Sequence, residues 1–333
     1  EQVDDLPFYR PADDSPEIEY LRERRDALGG PFPVRHHDAE SLEIPDLSVF
    51  EKVVEGSGGR AVSTTMGFVR RLMSLTRDKN LKEYLVPIVA DEARTFGMEG
   101  MFRQVGIYAP QGQLYEPVDA DQLAYYREET HGQILQEGIS EGGAMSSWIA
   151  AGTSYSNHGV NMIPFFIFYS MFGFQRIGDL IWAAGDMQAK GFLLGATSGR
   201  TTLNGEGLQH QDGHSHLISS TVPNCVSYDP TFGYELAVVM HDGLRRMYQE
   251  NEKVFYYITL LNENYEHGAL PEGAEEGIRK GMYLLEEAPQ TDAEAPRVQL
   301  LGSGSILREV QEAAHLLADR FGVTADVWSV PSF

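Results

Sequence analysis

Four side chains able to bind a metal or carry a proton near neutral pH fall within seven residues: His210, Asp212, His214 and His216. They lie in the loop Asn204-Gly-Glu-Gly-Leu-Gln-His210-Gln-Asp212-Gly-His214-Ser-His216. Two readings are open, a metal-ligand cluster and a structured loop with one or two functional imidazoles. Gly207 and Gly213 imply irregular backbone, and no helix sets His210 and His214 on one face, which favours the second. Glu141 is a separate candidate, placed where a strand turns into an apolar helix with Met145 and Trp148. At a helix start a glutamate can serve only the dipole. Facing an apolar cleft, its protonated form is favoured by desolvation, which suits proton exchange with a heterocycle. Gly302-Ser-Gly304-Ser305 is either a phosphate cradle or a tight turn. The aromatic run Phe165–Phe174 and the lone Cys225 read as core.

These groups need a scaffold, and the hydropathy pattern supplies one. Leu85–Val89, Gln133–Ile139, Ile163–Phe168, Gly191–Thr197, Asn224–Ser227 and Val254–Leu261 read as strands. Amphipathic helices alternate with them, through Val62–Leu75, through Met145, Trp148, Ile149 and Gly152, through Phe174, Ile177, Leu180 and Ile181, and through Leu236–Met247. Such alternation predicts an α/β fold with a doubly wound, mostly parallel sheet. In such a sheet ligands bind beyond the carboxyl ends of the strands. Asp91, Glu92, Ser140, Glu141, Tyr169 and the loop 198–216 all fall there, so one rim is expected to gather them. Residues 1–40 read as a linker or N-terminal remnant with a short helix near Ile18–Leu28, and 286–297 as a second linker. Strand Val298–Leu301, a helix through Leu307, Val310, Ala314 and Leu317, and strand Asp326–Val330 then open another βαβ unit.

Composition removes several function classes. The chain has 333 residues with 42% hydrophobic and 11% aromatic content, enough for a large core and too aromatic for disorder. One cysteine excludes a disulfide scaffold and suits a reducing compartment. With 26 Lys+Arg against 49 Asp+Glu, the net charge of −23 opposes nucleic-acid and membrane-surface binding. No stretch is long and apolar enough to span a bilayer, and no signal peptide is visible. The chain opens on glutamate and stops at Phe333 just after a predicted strand, so both ends are expected to be cut points.

Five segments resemble one family: ADEARTFGMEGMFRQVGIY (90–108), ILQEGISEGGAMSSWIAAGTSYS (134–156), PFFIFYSMFGFQRIGDLIWAAGD (164–186), TSGRTTLNGEGLQHQDGHSH (197–216) and LNENYEHGALPEGAEEGIRKGMY (261–283). They are similar to the homodimeric bacterial pyruvate dehydrogenases, the thiamine-diphosphate-dependent decarboxylating component of the pyruvate dehydrogenase complex, within the transketolase-like superfamily. The resemblance runs from about residue 60 to the C-terminus. It implies a pyrimidine-binding domain over 41–285 and the start of a transketolase-type C-terminal domain over 298–333. It also implies that Glu141 hydrogen-bonds the cofactor aminopyrimidine, that Phe172 packs on that ring, and that Tyr169 and Arg176 contact the cofactor or intermediate. His210 is implied to bind substrate, with Asp91 and Glu92 in the substrate pocket, while His214 and His216 remain loop structure. Implied partners are pyruvate, a second subunit forming a homodimer, and a lipoyl-bearing dihydrolipoyl acetyltransferase core, in the bacterial cytoplasm.

One departure matters. The family holds the diphosphate and Mg²⁺ with a Gly-Asp-Gly motif, whereas this chain has Gly178-Asp179-Leu180 and Gly185-Asp186-Met187. No metal ligands are therefore expected here, and the chain reads as one wall of a two-walled site. Two other classes stay in view: a catalytically silent dimerisation module, and a metallohydrolase built on His210, Asp212, His214 and His216.

Overall fold

The computed structural model describes residues 9–27, 30, 39–50, 54–90, 93–118, 126–199, 203–289 and 296–333, so the expectations for Asp91 and Glu92 lie outside the described residues. Six parallel strands form the central sheet: β1 (Leu85–Val89), β2 (Leu135–Gln136), β3 (Ile163–Tyr169), β4 (Phe192–Ala196), β5 (Cys225–Tyr228) and β6 (Phe255–Leu260). Their spatial order is β2-β1-β3-β4-β6-β5. All of β4 and β6, and β3 up to Phe168, are buried. Those continuous apolar runs are what a parallel sheet covered on both faces requires.

The helices include α1 (Pro16–Ala27), α2 (Thr64–Leu75), α3 (Glu141–Gly152), α4 (Phe174–Asp186), α5 (Ser215–Ser219), α6 (Gly233–Leu244) and α7 (Ile306–Phe321). Side chains of β3 alternate between two cores. Phe165 and Ile167 meet α2 and α6, with Phe192, Tyr256 and Ile258. Phe166 and Phe168 meet α3 and α4, with Trp148, Ile181 and Tyr257. The sheet is thus doubly wound.

Helix α3 lies close to the sheet. Trp148 is buried and its Nε1–H donates to the Phe192 carbonyl at 3.1 Å. At the helix's last turn, a Cβ on Gly152 would stand 2.6 Å from the Lys190 carbonyl oxygen. Gly152→Val is expected to cost about 1–3 kcal/mol by forcing helix and sheet apart. A thermal melt matching the parent's would show that the contact has slack.

Two boundaries differ from the sequence reading. The strand expected over Gln133–Ile139 is only Leu135–Gln136, because Gly138 turns at φ +73° and leaves Ile139 exposed just ahead of α3. Tyr283–Glu286, expected to span the end of the 41–285 domain and the start of the 286–297 linker, is a strand (β7) of a second sheet with β8 (Arg297–Gly302) and β9 (Thr324–Ser329). β8 and β9 are parallel and joined by α7, while β7 runs antiparallel to β9 with Tyr283 opposite Ser329.

Where α6 begins, the Gly233 amide donates to His267 Nδ1 at 2.8 Å. Burial, with Arg71 adding, pushes the His267 pKa down to about 4. The unfolded chain takes up that proton near pH 6.5. Between these values the unfolded state binds more protons, so stability is expected to fall as pH drops from about 6.5 to about 4, by up to about 3 kcal/mol. His267→Gln should flatten that slope in urea melts; an unchanged slope would assign it to other groups.

Candidate active site

The order β2-β1-β3 reverses the direction of winding at β1, and in sheets of this kind ligands bind at such a switch point, here the carboxyl ends of β1 and β3. Tyr169 ends β3, and Glu141 opens the helix after β2. Ser140 starts that helix from extended backbone, its hydroxyl accepting from the Gly143 amide at 3.1 Å. Between β3 and α4 a single 3-10 turn, Ser170–Phe172, carries Phe172. Gly173 completes the turn, since a Cβ there would overlap the Phe168 ring at 2.3 Å.

These local devices bring five of the expected residues together. Arg176, in the first turn of α4, donates from Nη1 to Glu141 Oε1 at 2.9 Å. The same guanidinium lies 3.8 Å from the centre of the Phe172 ring. Phe172 stands edge-on to Tyr169 at 5.9 Å. The His210 imidazole lies 5.1 Å from Tyr169 and 5.4 Å from Phe172. Phe96, which the sequence reading did not single out, backs Tyr169 at 5.4 Å. Arg176 therefore links the Glu141 carboxylate, through Oε1, to the Phe172 ring.

The loop that delivers His210 is stapled by Asp212. Its carboxylate accepts from the Ser170 hydroxyl, and from the His214 and Ser215 amides at 3.1 Å each. Burial alone would raise this carboxyl, but those hydrogen bonds outweigh it and hold the pKa below the usual value. Asp212 therefore caps α5 and ties the loop to the turn bearing Phe172. No sequence signal marks Ser170 as its partner. The three imidazoles diverge: His214 Nδ1 stays 3.7 Å from Asp212, while His216 turns away with Nε2 3.0 Å from Thr259 Oγ1. Burial lowers the His216 pKa against the pull of Asp229 and Asp212. Among the described residues no three His, Cys, Asp or Glu groups are placed to hold a metal ion. The donors of the metallohydrolase reading do not assemble, because Asp212 is engaged with Ser170 and two amides. Asp179 and Asp186 both sit on α4.

Cys225 lies in β5, where burial pushes its thiol up to about 12, far from a nucleophile's range. A cavity of about 1230 Å³ opens beside the α5 loop, lined by His216, Asp229, Leu301, Ile306 and Phe333. None of Glu141, Tyr169, Phe172, Arg176 or His210 lines it, so this cavity and the switch-point cluster are separate features of the fold.

The fold is that of a transketolase-like α/β protein. A transketolase from Campylobacter jejuni superposes with a TM-score of 0.62 at 19% identity, covering 96% of this chain and 40% of that one. One from Leishmania mexicana gives 0.64 at 16% identity, covering 87% and 37%. At those identities the likeness is one of fold. Residues 42–268 match the family model for the pyruvate dehydrogenase E1 component middle domain, and 281–333 that for the transketolase-like TK C-terminal domain. The chain belongs to the pyruvate dehydrogenase E1 component family. It is 64% identical over 331 residues to the pyruvate dehydrogenase E1 component of Pseudomonas aeruginosa, covering 99% of this chain, and 60% identical over 333 residues to that of Escherichia coli K12, again covering 99%. It spans 37% of the length of each of these relatives.

Proposed function

We propose that this chain forms the pyrimidine-side wall of a thiamine diphosphate site in an enzyme that decarboxylates pyruvate and passes the acetyl group to a lipoyl-bearing acyltransferase. The observation that carries this reading is the meeting of Glu141, Phe172, Tyr169, Arg176 and His210 at the switch point, in a chain of this family. An aminopyrimidine asks for a carboxyl group at a ring nitrogen and an aromatic face beside it, and Glu141 with Phe172 offers that donor set. When bound, thiamine diphosphate supplies the carbon nucleophile and the electron sink for decarboxylation.

The chain's own residues would act as follows. Arg176 keeps Glu141 Oε1 engaged, which leaves Oε2 to hold a proton against the ring nitrogen. Phe172 and Tyr169 orient the ring and exclude water from its face. His210, held against both aromatics, presents its imidazole to the substrate's polar end. Asp91 and Glu92 follow β1 and are proposed for the substrate pocket. Among the described residues no acidic cluster fits Mg²⁺, and Asp179 and Asp186 belong to α4. The diphosphate and Mg²⁺ are assigned to the part of the family's length that this chain does not span, contributed by a second subunit in a homodimer in the bacterial cytoplasm.

The test is pyruvate-dependent reduction of an artificial electron acceptor with thiamine diphosphate and Mg²⁺ present, run on this chain and on the full-length enzyme. Turnover is expected only in the latter. Folded full-length protein without turnover would overturn the reading in favour of a silent assembly module. In that enzyme His210→Ala should lower turnover by about 10²–10⁴-fold while proton exchange at the cofactor continues. Slowed exchange would argue that His210 acts earlier.

A further inference from the structure

Asp229, just beyond β5, stands at the seam between the central sheet and the second α/β unit. Its Oδ1 accepts from the Thr259 hydroxyl at 2.6 Å and its Oδ2 from the Ser303 hydroxyl at 2.9 Å. The Gly302–Ser305 turn closes around that carboxylate, and a Cβ on Gly304 would lie 2.6 Å from Oδ2. Backbone bonds complete the seam: the Asp229 amide donates to the Pro331 carbonyl at 2.6 Å, and the Gly304 amide to the Asp229 carbonyl at 3.3 Å. So the turn, for which a phosphate cradle and a tight turn were both open, holds the protein's own carboxylate.

On the other side, Thr259 Oγ1 is 3.0 Å from His216 Nε2. A threonine hydroxyl has one proton, and the charged, closer acceptor takes it. His216 therefore carries its proton on Nε2 and donates to Thr259. The line Ser303–Asp229–Thr259–His216 thus runs from the second unit into α5, whose preceding loop presents His210. Asp212, bound to Ser170, is the loop's other anchor.

The geometry points to Asp229 as a positioning residue: through Thr259 and His216 it lets the second α/β unit fix the loop that aims His210 at the site. The inference rests on the function proposed above. Asp229 acts through the loop and does not touch the His210 imidazole.

The experiment uses the full-length enzyme with Asp229→Asn, the milder Ser303→Ala, His210→Ala, and the Asp229→Asn/His210→Ala double variant. Asp229→Asn is expected to speed amide exchange across 207–220 about tenfold while β3 and β4 stay protected. It should also lower kcat/KM for pyruvate about tenfold, and this effect should vanish in the His210→Ala background. Ser303→Ala should follow in the same direction by a smaller factor. Additive losses in the double variant, unchanged exchange over 207–220, or exchange raised throughout the sheet would each overturn the inference. If the parent enzyme shows no turnover, the functional reading has failed, and the exchange comparison still decides whether Asp229 orders the loop.

Discussion

Replacing Glu141 by Gln in the full-length enzyme is expected to stop proton exchange at the cofactor's reactive carbon and to cut turnover by about 10²–10⁴-fold. Gln has the same shape, and its carbonyl oxygen can still accept from Arg176 as Oε1 does now. What it cannot do is hold and release a proton at the position of Oε2. The structural cost is small by comparison. Glu141 opens α3, so losing its charge at the helix N-terminus costs about 0.3–1 kcal/mol. The melting temperature should therefore barely move while exchange, followed by proton NMR, disappears. Exchange at the parent's rate in a folded variant would rule out the role. A collapse in stability with exchange intact would make Glu141 a helix-dipole partner and nothing more.

The central sheet was legible because burial on both faces writes itself into sequence as unbroken apolar runs. Ile163–Tyr169 and Phe255–Leu260 have no other reasonable reading, and their observed limits fall within a residue or two of those expected. Strands that owe their existence to a partner were harder. Of Tyr283–Glu286 only Tyr283 is buried, and only its antiparallel pairing with β9 assigns the segment to the second sheet. The strand before α3 was read too long for the opposite reason. Gly138 breaks it, while Ile139 looks like a strand residue and lies exposed in the turn.

For the site, topology told where to look and residue type told what to look for, but not which side chains touch. The rule about carboxyl ends brought Glu141 and Tyr169 to one rim, and the resemblance added Phe172, Arg176 and His210. Arg176 bridging Glu141 and Phe172 was not visible, since the carboxylate lies 35 residues away in the chain. Nor was the Ser170–Asp212 staple, 42 residues apart. Three histidines in one loop looked alike in sequence. In the fold one joins the aromatic cluster, one stays beside Asp212, and one leaves for Thr259, because α5 starts between them.

Glu235→Ala is expected to cause the largest loss of stability of any single substitution considered. The side chain is fully buried at the start of α6 and serves four donors. Oε2 accepts from the Thr231 and Phe232 amides at 2.6 and 3.0 Å. Oε1 accepts from the Tyr283 hydroxyl at 2.7 Å and the Ser329 hydroxyl at 2.6 Å, one from β7 and one from β9. One carboxylate thus caps a helix of the central unit and binds the second sheet to it. Alanine leaves those donors buried with nothing to accept them, at about 1–3 kcal/mol for each that cannot relax. The Tyr283 hydroxyl can turn toward Tyr234, 2.7 Å away, whereas the two amides cannot move without unwinding the helix start. A loss of about 4 kcal/mol or more follows, lowering the melting temperature of a chain of 333 residues by about 6 °C or more. Glu235→Gln should fall between the two. Its carbonyl can face the amides, and its NH₂ can donate to the Tyr283 and Ser329 oxygens once their hydroxyl protons rotate away. Calorimetry on this chain would read the order parent, Gln, Ala. Alanine melting with the parent would mean that the two sheets are held together by their apolar contacts and the Asp229 seam, without help from Glu235.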